Sequence, residues 1–217
     1  MKAKTLLIAA AALAAGIMTS QAQVYSQNIV GYINVQLTNN SGFTLIANQL
    51  DLDGTGLHNG IYTAVGTNLP SGSQVECWNG TSFKTATFNG SAWSAAANTA
   101  LFTNSMNPGG GFFIYTPTPT NVTFVGNVIT GTNTYPIIAG FRIVSDGGPV
   151  TGGIQTVLGY TPSVNDQVEV WNGTTYKTHT YNGSAWNGGG EPVLSVGEAV
   201  FLNAANNTNW TQILNVQ

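Results

Sequence analysis

The strongest constraint on how this chain can fold is a stretch that it writes twice. Residues 74–93 read QVECWNGTSFKTATFNGSAW and residues 167–186 read QVEVWNGTTYKTHTYNGSAW, with 15 of the 20 positions identical. Each copy holds two Asn-Gly pairs, at Asn79, Asn89, Asn172 and Asn182. Asn and Gly both tolerate positive φ, so these pairs predict tight type I′ hairpin turns. The runs between them are rich in Thr, Val and aromatic residues, which suit a pleated, half-buried surface. The stretch therefore reads as strand, turn, strand, turn, strand.

The duplication extends beyond the hairpins. Gly42-Phe43-Thr44-Leu45-Ile46 matches Gly140-Phe141-Arg142-Ile143-Val144 at an offset of 98, and the hairpin block has an offset of 93. Pro108 onward matches Val196 onward at an offset of 88, which sets Gly109 on Gly197 and Phe113 on Phe201. The second copy is thus shorter by 98 − 93 = 5 and 93 − 88 = 5 residues in two loops. Closely spaced turn signals predict an all-β chain of two tandem antiparallel sandwich or barrel-like units, with about seven strands each. The expected boundaries are a signal peptide at residues 1–22, one unit at 23–128 and a second at 129–217. In the first unit the strands are expected at 33–37, 43–50, 74–78, 83–88, 91–95, 111–116 and 122–128, with a helical turn near 58–65.

The opening segment supplies the compartment. Lys2 and Lys4 precede an apolar run over 6–18, followed by Ser20-Gln21-Ala22, the layout of a cleaved secretory signal. The run is shorter than the roughly 20 residues a bilayer span needs, and no later stretch is apolar enough. We expect a secreted or cell-envelope protein without a transmembrane segment. After processing, Lys84, Arg142 and Lys177 face eight carboxylates, a net charge of 3 − 8 = −5. That balance argues against nucleic acid as a partner. Cys77 is the sole cysteine, and Val170 is its repeat partner, so it reads as a buried small hydrophobe.

Alternation along a strand puts Val75 and Cys77 on one face, and Gln74, Glu76 and Trp78 on the other. The second copy repeats this with Gln167, Glu169 and Trp171. An indole beside an amide and a carboxylate is the equipment for stacking a sugar ring and orienting its hydroxyls. These six residues are the candidate ligand site, and two copies would add avidity for a polymer. The more ordinary use of such a face is to pack under another sheet, with tryptophan as core. Glu76 and Lys84 are candidates for an ion pair across their hairpin. Asp51 and Asp53, in the Asp51-Leu52-Asp53-Gly54 run, are weak metal candidates; a calcium loop would need a late bidentate Glu, and position 62 is Tyr. No phosphate loop, dinucleotide fingerprint or nucleophile elbow occurs, the histidines lack metal spacing, and no cofactor is expected.

Gln27-Asn28-Ile29-Val30-Gly31-Tyr32, then Gly42–Asn48, then Pro108-Gly109-Gly110-Gly111-Phe112-Phe113-Ile114 resemble blocks of a group of uncharacterised secreted bacterial proteins made of two tandem β repeats. The resemblance covers the whole chain after the signal, apart from Val196-Gly197-Glu198-Ala199 in the second copy. It implies export and β architecture and carries no activity. Together these readings predict a non-catalytic extracellular protein that binds glycan or adheres through the repeated Gln/Glu/Trp face, its partners being polysaccharide or other cell-surface components. The alternative is a structural or assembly subunit of a surface layer or matrix.

Overall fold

The computed structural model describes residues 29–38, 42–56 and 58–215, so the expected signal segment lies outside the described residues. The chain is mostly β and its sheets are antiparallel. The first strands are β1 (Val30–Leu37), β2 (Thr44–Ile46), β3 (Gln74–Trp78), β4 (Phe83–Thr87), β5 (Phe112–Tyr115) and β6 (Thr120–Asn127). They are followed by β7 (Gly131–Ile137), β8 (Gly140–Val144), β9 (Gly152–Gly153), β10 (Gln167–Trp171), β11 (Tyr176–Thr180), β12 (Val193–Leu194), β13 (Val200–Ala204) and β14 (Thr208–Leu214).

The sheet orders repeat. Strands run β2-β5-β3-β4 in one four-stranded sheet and β8-β13-β10-β11 in the other, in the same sequence of matching segments. Each is accompanied by a two-stranded ribbon, β1-β6 or β7-β14. β3 alternates as its sequence requires: Val75 and Cys77 are buried, while Gln74, Glu76 and Trp78 are half-buried. The buried side meets Ile33, Leu37, Val122 and Phe124 of the β1-β6 ribbon in one core. A second core joins Val168 and Leu202 to Ile137 and Trp210 of the β7-β14 ribbon. A third, smaller core holds Leu45, Phe113, Ala199 and Phe201, with Trp78 and Trp171 packed on it. It lies between the two four-stranded sheets. The layers are therefore ribbon, sheet, sheet, ribbon, and each central sheet is covered on both faces.

One expected strand and the turn type differ from expectation. Among the described residues, six strands lie over 30–127 and eight over 131–214, two of the latter only two residues long. The strand expected at 91–95 is absent: Trp93 makes one bridge to Phe88, and the chain enters a 3-10 turn at Ala95–Asn98 and a helix at Ala100–Ser105. Three successive alanines favour a helical turn, and Phe102 and Met106, four residues apart, reach the first core from the helix while Ala97 reaches it from the 3-10 turn. The strand expected at 43–50 stops at Ile46, because Ala47 N–H donates to Gly197 O (2.9 Å) across the third core. Ile61–Ala64 forms one helical turn.

The hairpin turns are not type I′. Gly80, Gly90, Gly173 and Gly183 have φ of 102°, 96°, 99° and 100°, but Asn165 is the one described non-glycine residue with positive φ. Each Asn instead turns its side chain into the loop. Asn79 Oδ1 accepts from Thr81 N (2.9 Å), Thr81 Oγ1 (3.0 Å) and Ser82 N (2.9 Å). Asn89, Asn172 and Asn182 repeat this pattern on the matching residues. An Asx turn closes a four-residue loop without placing Asn in the left-handed region, and glycine alone takes that strain.

Candidate functional site

The outward face of the duplicated strand is where the two four-stranded sheets meet. Trp78 Nε1 donates to Phe141 O (2.9 Å), and Trp171 Nε1 donates to Phe43 O (2.7 Å). Phe43 and Phe141 are themselves repeat partners, so the two bonds are one contact made twice. Ala47 N–H to Gly197 O (2.9 Å) and Ser145 N–H to Gly109 O (3.1 Å) form another such pair. So do the bridges Ile46–Glu198 and Gly110–Val144. Reciprocity of this kind belongs to an isologous, two-fold contact. Backbones come close there: a Cβ on Gly111 would lie 2.5 Å from Ala199 Cβ.

Aromatic rings fill the contact. Phe201 meets Trp78 (5.7 Å, 80°), Tyr176 (5.8 Å, 77°) and Phe83 (6.0 Å, 86°). Phe113 meets Trp171 (5.7 Å, 90°) and Phe83 (5.7 Å, 71°), and Phe113 and Phe201 pack together at 6.2 Å. Edge-to-face geometry adds to area burial, because ring edges are positive and faces negative.

Cavities open around this contact among the described residues. One groove of about 500 Å³ is lined by Asn34, Gln36, Thr44, Trp171, Asn172 and Glu198, among others. The second, about 710 Å³, has Trp78, Asn107, Thr134, Pro136, Ile138 and Arg142 in its walls. The two grooves are built from matching segments, and their chemistry has diverged. Gln36, Thr38 and Thr44 in the first stand where Pro136, Ile138 and Arg142 stand in the second. A third cavity of about 170 Å³ is lined by Phe43, Glu76, Phe83, Phe113, Trp171 and Tyr176.

The six candidate ligand residues are thus divided. Glu76 and Trp171 share the smallest cavity, and Trp78 lies in the larger groove. Gln74, Gln167 and Glu169 are half-buried and line none of these three cavities. Gln167 Oε1 accepts from Asn203 Nδ2 (3.3 Å). Glu76 and Lys84 do not pair: the register sets Glu76 opposite Thr85 and Lys84 opposite Cys77, on opposite faces of the hairpin. Glu76 Oε1 accepts from Thr85 Oγ1 (3.1 Å) instead.

Asp51 and Asp53 do not converge on a metal. Asp51 is fully buried and its oxygens accept from Gly56 N (2.6 Å) and Asn59 Nδ2 (3.2 Å). Asp53 accepts from Thr55 and pairs with His58 (2.6 Å), and these bonds hold its carboxyl down to about 2. Among the described residues no three His, Cys, Asp or Glu side chains gather as metal ligands would. Cys77 is buried, and desolvation pushes its thiol up to about 12. His179 is buried where the first copy has Ala86, and its Nδ1–H donates to Gly190 O (2.7 Å).

Sequence reasoning passed over two buried acids, Asp166 and Asp146, and the second bonds to side chains of both copies. Asp146 Oδ1 accepts from Gln49 Nε2 (2.5 Å) and Oδ2 from Gln212 Nε2 (3.1 Å), while Gln49 Oε1 accepts from Gly197 N (2.7 Å). Burial pushes its carboxyl up to about 7, against the pull of those two amides. It was hard to find because Asp146 matches Asn48 and Gln49 matches Gly147, so duplication gave no signal there. The aromatics Phe43, Phe113 and Phe83 did leave one: each has an aromatic repeat partner, as a self-complementary surface requires. No protein-family model, no curated protein and no solved structure matches this chain.

Proposed function

We propose that the chain is an exported, non-catalytic protein of the cell envelope or extracellular space that binds polysaccharide. Its two tandem β-sandwich units would form one rigid platform, with the repeated tryptophan face holding them together. The observation that carries the glycan reading is the groove of about 500 Å³, where amide and hydroxyl side chains surround Trp171. Its volume lies within the roughly 300–1,000 Å³ of small-ligand sites, and its polar groups are the kind that read sugar hydroxyls. The signal at residues 1–22 and the resemblance to secreted two-repeat proteins support export.

The test is pull-down of the purified protein on insoluble polysaccharides, beside Asn34→Ala/Gln36→Ala. Both side chains point outward from β1, so the variant should fold. Loss of two hydrogen-bonding side chains should weaken binding roughly tenfold or more. Equal binding by wild type and variant, or no binding by wild type to any polysaccharide tried, rejects the groove. A second reading, assembly with other chains, is favoured by one observation: Tyr32 (73% exposed) and Val125 (46% exposed) face each other on the open side of the β1-β6 ribbon. Concentration-dependent sedimentation abolished by Tyr32→Ser would support it.

A further inference from the structure

The smallest of the three cavities has a chemistry of its own. Five of its six lining residues are aromatic, and the sixth, Glu76, is its only charged side chain. The rings stand as walls, not as a stack: Phe113 meets Trp171 at 90°, Phe43 at 85° and Phe83 at 71°. Tyr176 closes on Trp171 with centroids 4.7 Å apart. Phe83 and Tyr176 are repeat partners, and at 38% and 39% exposure they leave the box open to solvent. Burial, with Glu169 nearby, pushes the Tyr176 phenol up to about 12, so the ring stays neutral.

A box of aromatic surface with one carboxylate selects a particular kind of cation. A metal ion needs several converging ligands, six to eight oxygens for calcium and four for zinc, and a primary ammonium needs acceptors to replace its strongly held water. The cavity offers neither. An alkylated ammonium spreads its charge over methyl groups, is attracted by ring quadrupoles and needs only a counter-ion. The volume of about 170 Å³ is below the range of drug-sized sites, so the cavity suits a headgroup and not a whole polymer. We propose that this aromatic cage, with Glu76 as counter-ion, binds the trimethylammonium headgroup of a choline-like ligand.

Titration calorimetry with tetramethylammonium, choline and dimethylbutanol, the uncharged carbon analogue of choline, tests this. Both cations should bind saturably, and the neutral analogue at least about tenfold more weakly, because shape is kept and only charge is lost. Glycine betaine should bind less tightly than choline, since its carboxylate would approach Glu76. Glu76→Gln should weaken choline binding about tenfold with unchanged circular dichroism. Phe83→Leu, which removes an exposed wall, should also weaken it. Absence of saturable choline binding, equal affinity for the neutral analogue, or unchanged affinity in folded Glu76→Gln overturns the proposal. Glu76 and Phe83 do not line the groove of the polysaccharide test, so retention on polysaccharide is unaffected by either variant, and the two readings fail separately.

Discussion

Asp146→Asn turns the buried acid between the sheets into a pH-dependent readout of the interface. The carboxyl stands at about 7 against an ordinary 3.8, chiefly because burial removes its water. The folded value lies above the unfolded one, so between about pH 4 and 7 the folded state keeps a proton that the unfolded chain has released. Its contribution to stability is therefore fully present below about pH 4 and lost as pH rises through about 7. A gap of about 3 pH units corresponds to about 4 kcal/mol at most. Asparagine removes the charge and can still accept from Gln49. Gln212 must then turn its amide, because Gln49 Oε1 is held by Gly197 N. The assay is urea unfolding of wild type and variant from about pH 4 to pH 8. Stability of the variant relative to wild type should rise across this range by up to about 4 kcal/mol and level off above about pH 7. Taking the difference cancels every other titrating group, including Asp53, whose depressed value places its effect below about pH 4. A difference that stays flat with pH would refute the burial of a charge at this interface.

Phe201 touches rings from both copies, and Phe201→Ala should cost about 3–5 kcal/mol in urea unfolding. A loss below about 1 kcal/mol would mean that the sheets do not pack through it. Asn182→Ala removes the acceptor for Ser184 N, Ser184 Oγ and Ala185 N, and should cost about 1–2 kcal/mol in thermal or urea melts. Asn182→Asp, which keeps an acceptor oxygen, should cost less. Cys77 should resist thiol reagents at pH 8 in the folded protein and react on unfolding, because burial keeps it protonated. Fast labelling of the folded chain would contradict that.

The β character of the chain and the faces of its strands were legible in the sequence, because side-chain alternation is a local property. Val75 and Cys77 go to the first core and Gln74, Glu76 and Trp78 to the opposite face for that reason alone. Turn position was legible too, since Asn-Gly marks it. Turn type was not: the backbone could take Asn at positive φ, and the structure instead spends the Asn side chain on three loop hydrogens. The helix over Ala100–Ser105 was hidden because its signal, Phe102 and Met106 four residues apart, has meaning only once a core exists to receive it. What lies against the tryptophan face was beyond the reach of local pattern altogether. Burial of that face depends on residues 63 and 128 positions away, and the same alternating strand could front solvent or another sheet. Tertiary packing decided between them: it set the two copies face to face, tied each tryptophan to the other copy's backbone, and gathered Phe43, Glu76, Phe83, Phe113, Trp171 and Tyr176 around one cavity.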